Sequence, residues 1–152
     1  MTCSLVVNSK SGNTRMVSGA IKRALQAAGV EFVHAAALSD DADADQVALE
    51  AQGACAADTV LVGFWCDKGA STPSVATLLS ALHGKRVFLF GTCGFGASEE
   101  YFRQIIDRVT SNLANDAELV GWAMCQGKMG PAVKQRYEAM LEQDLSLIHI
   151  SE

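Results

Sequence analysis

This 152-residue chain is short of several things, and each shortage removes a class of protein. Its longest apolar runs stop far below the ~20 residues that a membrane-spanning helix needs. No basic segment leads into an apolar stretch and cleavage site, so no secretory leader is read and a cytoplasmic location is expected. Basic residues are few, 12 against 17 acidic ones, a net charge of −5. Nucleic-acid binders ordinarily show the opposite balance on one face. There are three histidines, and no two of the five cysteines (Cys3, Cys55, Cys66, Cys93, Cys125) stand in a C-x-x-C spacing. A zinc site or a thioredoxin-like motif is therefore unsupported, and reduced thiols are the simpler reading. The two prolines, Pro73 and Pro131, both sit at expected helix starts, so neither marks a hinge or a linker.

What is present is a regular alternation of strand and helix. Leu5-Val6-Val7 lies in an unbroken apolar run, as in a strand buried on both faces. Val17, Ala20, Ile21, Ala24, Leu25 and Ala28 recur at helical spacing, with Asn13 as expected N-cap and Gly29 as the left-handed residue past the end. A second strand is read over 30–38, then an acidic turn over 39–45 and an Ala-rich helix over 45–53. Thr59 to Trp65 is the strongest strand. Thr72-Pro73 opens a helix with Val75, Leu78, Leu79 and Leu82 buried, closed by Gly84. Strand four is read over 86–90 and a glycine-rich loop over 91–96. A helix capped by Ser98 follows, with Phe102, Ile105, Ile106, Val109 and Leu113 on its apolar face. Strand five covers 118–125, and Pro131 starts a last helix with Val133, Tyr137 and Met140 along one side. Five strands alternating with five helices imply an α/β fold, a parallel sheet covered on both faces and joined by right-handed crossovers. The length suits one domain, residues 1–144. Leu145 to Glu152 reads as a non-native or disordered tail.

In such sheets ligands bind beyond the C-terminal strand ends. Three loops of unusual composition follow strands. Ser9-Lys10-Ser11-Gly12-Asn13-Thr14 joins strand one directly to a helix N-terminus, where amides, hydroxyls and the helix dipole favour an anion. The plain alternative is a solvated helix start. The second loop runs Trp65-Cys66-Asp67-Lys68-Gly69, and the third Thr92-Cys93-Gly94-Phe95-Gly96. Cys66, Cys93 and Cys125 fall at the ends of strands three, four and five, along one edge; small buried fillers are their commoner role. His34 and His83 fall away from this edge.

Together these residues resemble the flavodoxin family, of the short type, over roughly residues 3 to 143. The first loop carries the family's Ser/Thr-x-Ser/Thr-Gly-Asn-Thr pattern at Ser9, Ser11, Gly12, Asn13 and Thr14, with Lys10 a departure toward positive charge. The resemblance implies a flavodoxin-like three-layer sandwich, a five-stranded parallel sheet in the order 2-1-3-4-5, and noncovalent FMN. It implies that the Ser9, Ser11 and Thr14 hydroxyls and the loop amides receive the phosphate. Trp65 would stack on the isoalloxazine, the alternative being a core residue capping the sheet. A peptide near Gly69 would turn toward flavin N5. The backbone of Thr92 to Gly96 would enclose the pyrimidine edge, with Phe95 where many flavodoxins have tyrosine. Asp67 is the carboxylate placed beside the ring, where its charge would disfavour the reduced anion.

The runs Gly63 to Gly69 and Gln126 to Met129 resemble small flavodoxin-like proteins of anaerobic gut bacteria, including those encoded beside bilirubin reductase. That resemblance implies a monomeric electron carrier serving a reductase partner. An FMN-dependent NAD(P)H or quinone reductase is the enzymatic alternative, though the chain shows no long insertion to build a second-substrate pocket. A cofactor-free interaction domain is the third. The acidic pair of a response-regulator receiver, a Cys-x5-Arg phosphatase loop and a G-x-S-x-G elbow are all absent from the sequence.

Overall fold

A computed structural model describes residues 1–94 and 98–126. The elements run β1 (Thr2–Val7), α1 (Asn13–Ala27), β2 (Glu31–Ala37), α2 (Ala44–Ala54), β3 (Thr59–Trp65), α3 (Pro73–Ser80), β4 (Arg86–Cys93), α4 (Glu99–Thr110) and β5 (Glu118–Gln126). The strands form one sheet in the order β2-β1-β3-β4-β5, as the family resemblance implies, and every neighbouring pair is parallel. The switch in strand order lies between β1 and β3, so the loops following these two strands open at the same crevice. The expected last helix and the tail fall outside the described residues. Among the described residues no helix is long and apolar enough to cross a membrane.

Helix boundaries follow local chemistry. Asp43 caps α2 through a capping box: its carboxylate accepts from Gln46 N at 2.8 Å, and Gln46 Oε1 accepts from Asp43 N at 2.9 Å. Ser98 caps α4 by accepting from Tyr101 N at 3.1 Å. Gly29 takes the left-handed conformation past α1, as its position predicts. The expectation for Asn13 is corrected. It is the first helical residue, and the N-cap is Gly12, at φ 90. The chain turns sharply out of β1 at this point, and a side chain would be strained in that backbone conformation.

Two apolar layers flank the sheet. Val6, Val60, Val62, Phe64, Leu89 and Met124 face α2, α3 and α4, meeting Val47, Leu78, Leu79, Ile105 and Val109. On the opposite face Leu5, Leu61, Phe88 and Phe90 meet Val17, Ile21 and Leu25 of α1. Three fully buried phenylalanines fit because each ring lies over a glycine directly across from it in the neighbouring strand. The pairs are Gly63 with Phe90, Phe64 with Gly91, and Phe88 with Gly121. A Cβ at Gly63 would sit 2.4 Å from the Phe90 ring, and one at Gly91 would sit 2.6 Å from both Phe64 and Met124 Sδ. Glycine inside a strand commonly marks such a close approach. Gly91→Ala therefore forces overpacking and is expected to destabilise by about 1–3 kcal/mol. Urea denaturation measures that loss, and Phe64→Leu added to Gly91→Ala is expected to restore part of it.

Candidate functional site

The site begins at the buried end of β1. Asn8 is 1% exposed, and its side chain and backbone together join three neighbouring segments. Its Nδ2 donates to Leu38 O at 2.9 Å and to Asp40 Oδ1 at 2.7 Å, and its Oδ1 accepts from Thr72 Oγ1 at 3.2 Å. Its backbone N–H donates to Gly63 O at 2.8 Å. The chain beyond β2, the β3 strand and the start of α3 are thereby held to β1. Thr72 is the N-cap residue of α3 but makes no side-chain capping bond, its hydroxyl being turned to Asn8.

From this base the first loop wraps on itself. Ser9 Oγ accepts from Gly12 N at 3.1 Å and Arg15 N at 3.4 Å, and Ser11 Oγ accepts from Asn13 Nδ2 at 3.1 Å. The Thr14 hydroxyl points inward and lies 2.7 Å from that of Thr92. This buried pair ties the head of α1 to β4. Gly12, the N-cap of α1, has no side chain to cap it, and the first turn holds no acidic residue, whereas α2 has Asp45 there and α4 has Glu99 and Glu100; α3 also lacks both, but it opens on Pro73, which has no N–H to offer. A Cβ built on Gly12 meets nothing within 4 Å. An acid-free helix start with open space over its N-cap glycine suits a phosphate.

The second loop is a tight hairpin. Asp67 N donates to Ala70 O at 2.7 Å and Ala70 N to Asp67 O at 3.2 Å. Lys68 and Gly69 between them take φ 54 and φ 82. Two successive positive φ values are the mark of a type I′ turn. The exposed Lys68 adopts this conformation despite its side chain. Arg108 Nη1 donates to Gly69 O at 3.2 Å, so α4 holds the tip of the hairpin. Trp65 is half-buried; its Nε1 donates to Asp40 Oδ1 at 2.9 Å, and Lys10 Nζ lies 4.8 Å from its ring centroid.

The third loop needs correction. Gly91, Thr92 and Cys93 are not loop: β4 continues through Cys93, paired with both β3 and β5. The two flanking strands supply backbone partners that outweigh the turn-forming character of the glycine. Gly94 follows and is exposed, while Phe95 and Gly96 lie outside the described residues. Cys66 N donates to Thr92 O at 2.8 Å, extending the β3–β4 pairing by one bond. The Cys66 thiol meets that of Cys93, and burial together with this neighbour pushes its pKa up to about 12. Tyr101 is raised as well, chiefly by Cys93 beside it. Cys125 is separated from this pair, because it packs on the α1 face whereas Cys93 packs on the α4 face.

The structure thus brings together Ser9 to Thr14, Trp65 to Gly69 and Thr92 to Gly94 at one sheet edge. Asp40, Tyr101 and Arg108 join them. Sequence reasoning missed these three, since Asp40 reads as part of an acidic helix start and the other two as the outer face of α4. Among the described residues no group of three or more His, Cys, Asp or Glu side chains is placed to hold a metal.

Comparison with known proteins agrees with this geometry. A flavodoxin domain model matches residues 4–151. A flavodoxin-like domain-containing protein BilS of Clostridium symbiosum (strain WAL-14163) is 32% identical over 149 residues, 93% of this chain and 76% of that protein. A protein of the same description in Clostridioides difficile (strain CD3) is 35% identical over 85 residues, 56% of this chain. That match spans about half, 48%, of the relative's own length. Among solved structures, a short-chain flavodoxin associated with a non-canonical PDU bacterial microcompartment superposes with a TM-score of 0.69 at 17% identity, covering 96% of this chain and 97% of that one. From the matched domain and the Clostridium symbiosum relative, this chain belongs to the flavodoxin family.

Proposed function

We propose that this protein binds FMN and carries electrons on it to a reductase partner. Membership in the flavodoxin family implies FMN as the cofactor. The observation that carries the proposal is the convergence of an acid-free helix start, with Gly12 as its N-cap, with an aromatic ring and a tight hairpin at one strand-end edge. In this reading the loop from Ser9 to Thr14 holds the phosphate. Ser9, bound to the Gly12 amide of the loop and to the Arg15 amide of α1, shapes that loop, and Thr14 fixes it to β4. Trp65 supplies the flat apolar surface and the hairpin from Cys66 to Gly69 the polar edge, with Arg108 limiting movement of its tip. The flavin supplies the redox chemistry when bound. The neutral Cys66 thiol adds no charge beside the ring at neutral pH. Bilirubin reductase as the partner rests on the likeness to the BilS proteins and on the runs Gly63 to Gly69 and Gln126 to Met129.

Titration of purified protein into FMN tests the first half of this proposal. One FMN per chain and quenched flavin fluorescence are expected, with Trp65→Ala weakening binding roughly tenfold through the lost stacking surface. A chain that leaves FMN fluorescence unchanged overturns the proposal. For the second half, protein reduced chemically is expected to reoxidise when bilirubin reductase and bilirubin are added. Steady NAD(P)H oxidation by the protein alone would favour a reductase instead.

The thiol next to the hairpin gives a separate pH test. With its pKa about 12, Cys66 stays protonated across the working range. Since only the thiolate reacts, its alkylation by iodoacetamide is expected to climb about tenfold per pH unit from pH 7 to 10, where an ordinary thiol levels off near its pKa of about 8.5. Mass spectrometry of the Cys66 peptide reads the rate, and bound FMN is expected to slow it further.

A further inference from the structure

We propose that Lys10 makes this site prefer a phosphorylated flavin, because its ammonium covers Trp65 until a phosphate draws it away. The inference rests on the flavin-site reading above and extends it to the choice of ligand.

Lys10 Nζ lies 4.8 Å from the Trp65 ring centroid, and Trp65 is fixed at its edge by the 2.9 Å bond from Nε1 to Asp40 Oδ1. That carboxylate is itself held at 2.7 Å by the buried Asn8 amide. The indole is therefore anchored over the sheet edge while a mobile cation sits on one of its faces. Lys10 is exposed, and among the described residues no carboxylate lies within ion-pair distance of it. It stands two residues before Gly12, in the same loop whose helix start suits an anion. The ammonium thus has two alternative partners within the reach of its stem, the indole face and an anion on the loop.

The two are unequal. A cation over an exposed aromatic ring is held weakly. An ammonium donating to a phosphate oxygen makes a charge-assisted hydrogen bond, roughly twice as strong as a neutral one. A phosphate therefore takes the ammonium and bares the ring in the same event. A flavin that lacks the phosphate must displace Lys10 from Trp65 and offers it nothing in return. Lys10 couples the anchoring end of the ligand to its stacking end. A lysine that only anchored phosphate, or only faced solvent, would leave the binding of an unphosphorylated flavin untouched.

Lys10→Ala separates these cases, since it removes an exposed loop side chain without disturbing the core. Affinities for FMN and riboflavin are measured by calorimetry on both proteins. FMN binding is expected to weaken about tenfold, while riboflavin binding tightens roughly two- to fivefold as the cation leaves the ring. Riboflavin affinity that is unchanged or weaker in Lys10→Ala overturns the proposal. A flavin-free measurement uses inorganic phosphate in a Trp122→Phe background, where Trp65 is the sole tryptophan. Phosphate is expected to raise acrylamide quenching of Trp65 when Lys10 is present and to leave it unchanged in Lys10→Ala. No phosphate effect, or an equal effect in both, overturns the proposal. Failure of the unaltered protein to bind FMN would instead overturn the flavin-site reading, and the phosphate measurement would still decide what Lys10 does.

Discussion

The arrangement at the sheet edge depends on one buried amide. Asn8 sits where β1 ends, and its side chain bonds to Leu38 and Asp40 in the segment after β2 and to Thr72 at the start of α3. A buried amide left without partners carries a cost of about 1–3 kcal/mol; Asn8 uses both donors and its acceptor. Its Nδ2 also holds the Asp40 oxygen to which Trp65 is bonded. The orientation of a half-buried aromatic ring is thus set from inside the protein, through two hydrogen bonds. A residue with a different polar head at position 8 could reach one of these partners but not supply donors to two and accept from the third.

Charge is distributed to the same end. The chain carries five more acidic than basic residues, and acidic side chains occupy the first turns of α2 and α4, where the helix dipole favours them. The first turns of α1 and α3 have none; α3 opens on Pro73, which has no N–H to offer, whereas α1 opens on Gly12, which has no side chain to cap it. The head of α1 is thus an opening that favours an anion. Lys10 adds one positive charge to that opening, and Thr14, turned inward to Thr92, ties it to β4.

Most of the fold was legible because its signals are local. Unbroken apolar runs marked strands, helical spacing marked the buried stripes of α1, α3 and α4, and Ser98 and Thr72-Pro73 marked helix starts. The first loop, Ser9 to Thr14, was legible as a contiguous run of hydroxyls and glycine leading into a helix. Four features were not. The acidic turn obscured which carboxylate caps α2 and which reaches Trp65, because the Asp40 bond spans 25 residues. Gly91 suggested a loop, yet β4 runs on through it because β3 and β5 pair with it from both sides. Gly12 displaced Asn13 as N-cap because the turn out of β1 needs a positive φ, a demand of backbone geometry and not of side-chain chemistry. Arg108 and Tyr101 reach the site only through the packing of α4 on the sheet, which no periodicity encodes.

The glycine–phenylalanine pairs have a consequence for how such a chain can diverge. At each of the three crossings the ring on one strand occupies the volume that a side chain on the next would need. Neither partner is free to vary alone: enlarging the glycine collides with the ring, and shrinking the ring opens a void over the glycine. Substitutions there are tolerated only as matched exchanges, so these six positions should drift together across descendants of this sequence. Because the pairs link β3 to β4 and β4 to β5, they bind three strands into one inherited unit, while the loops beyond the strand ends remain free to change with the partner.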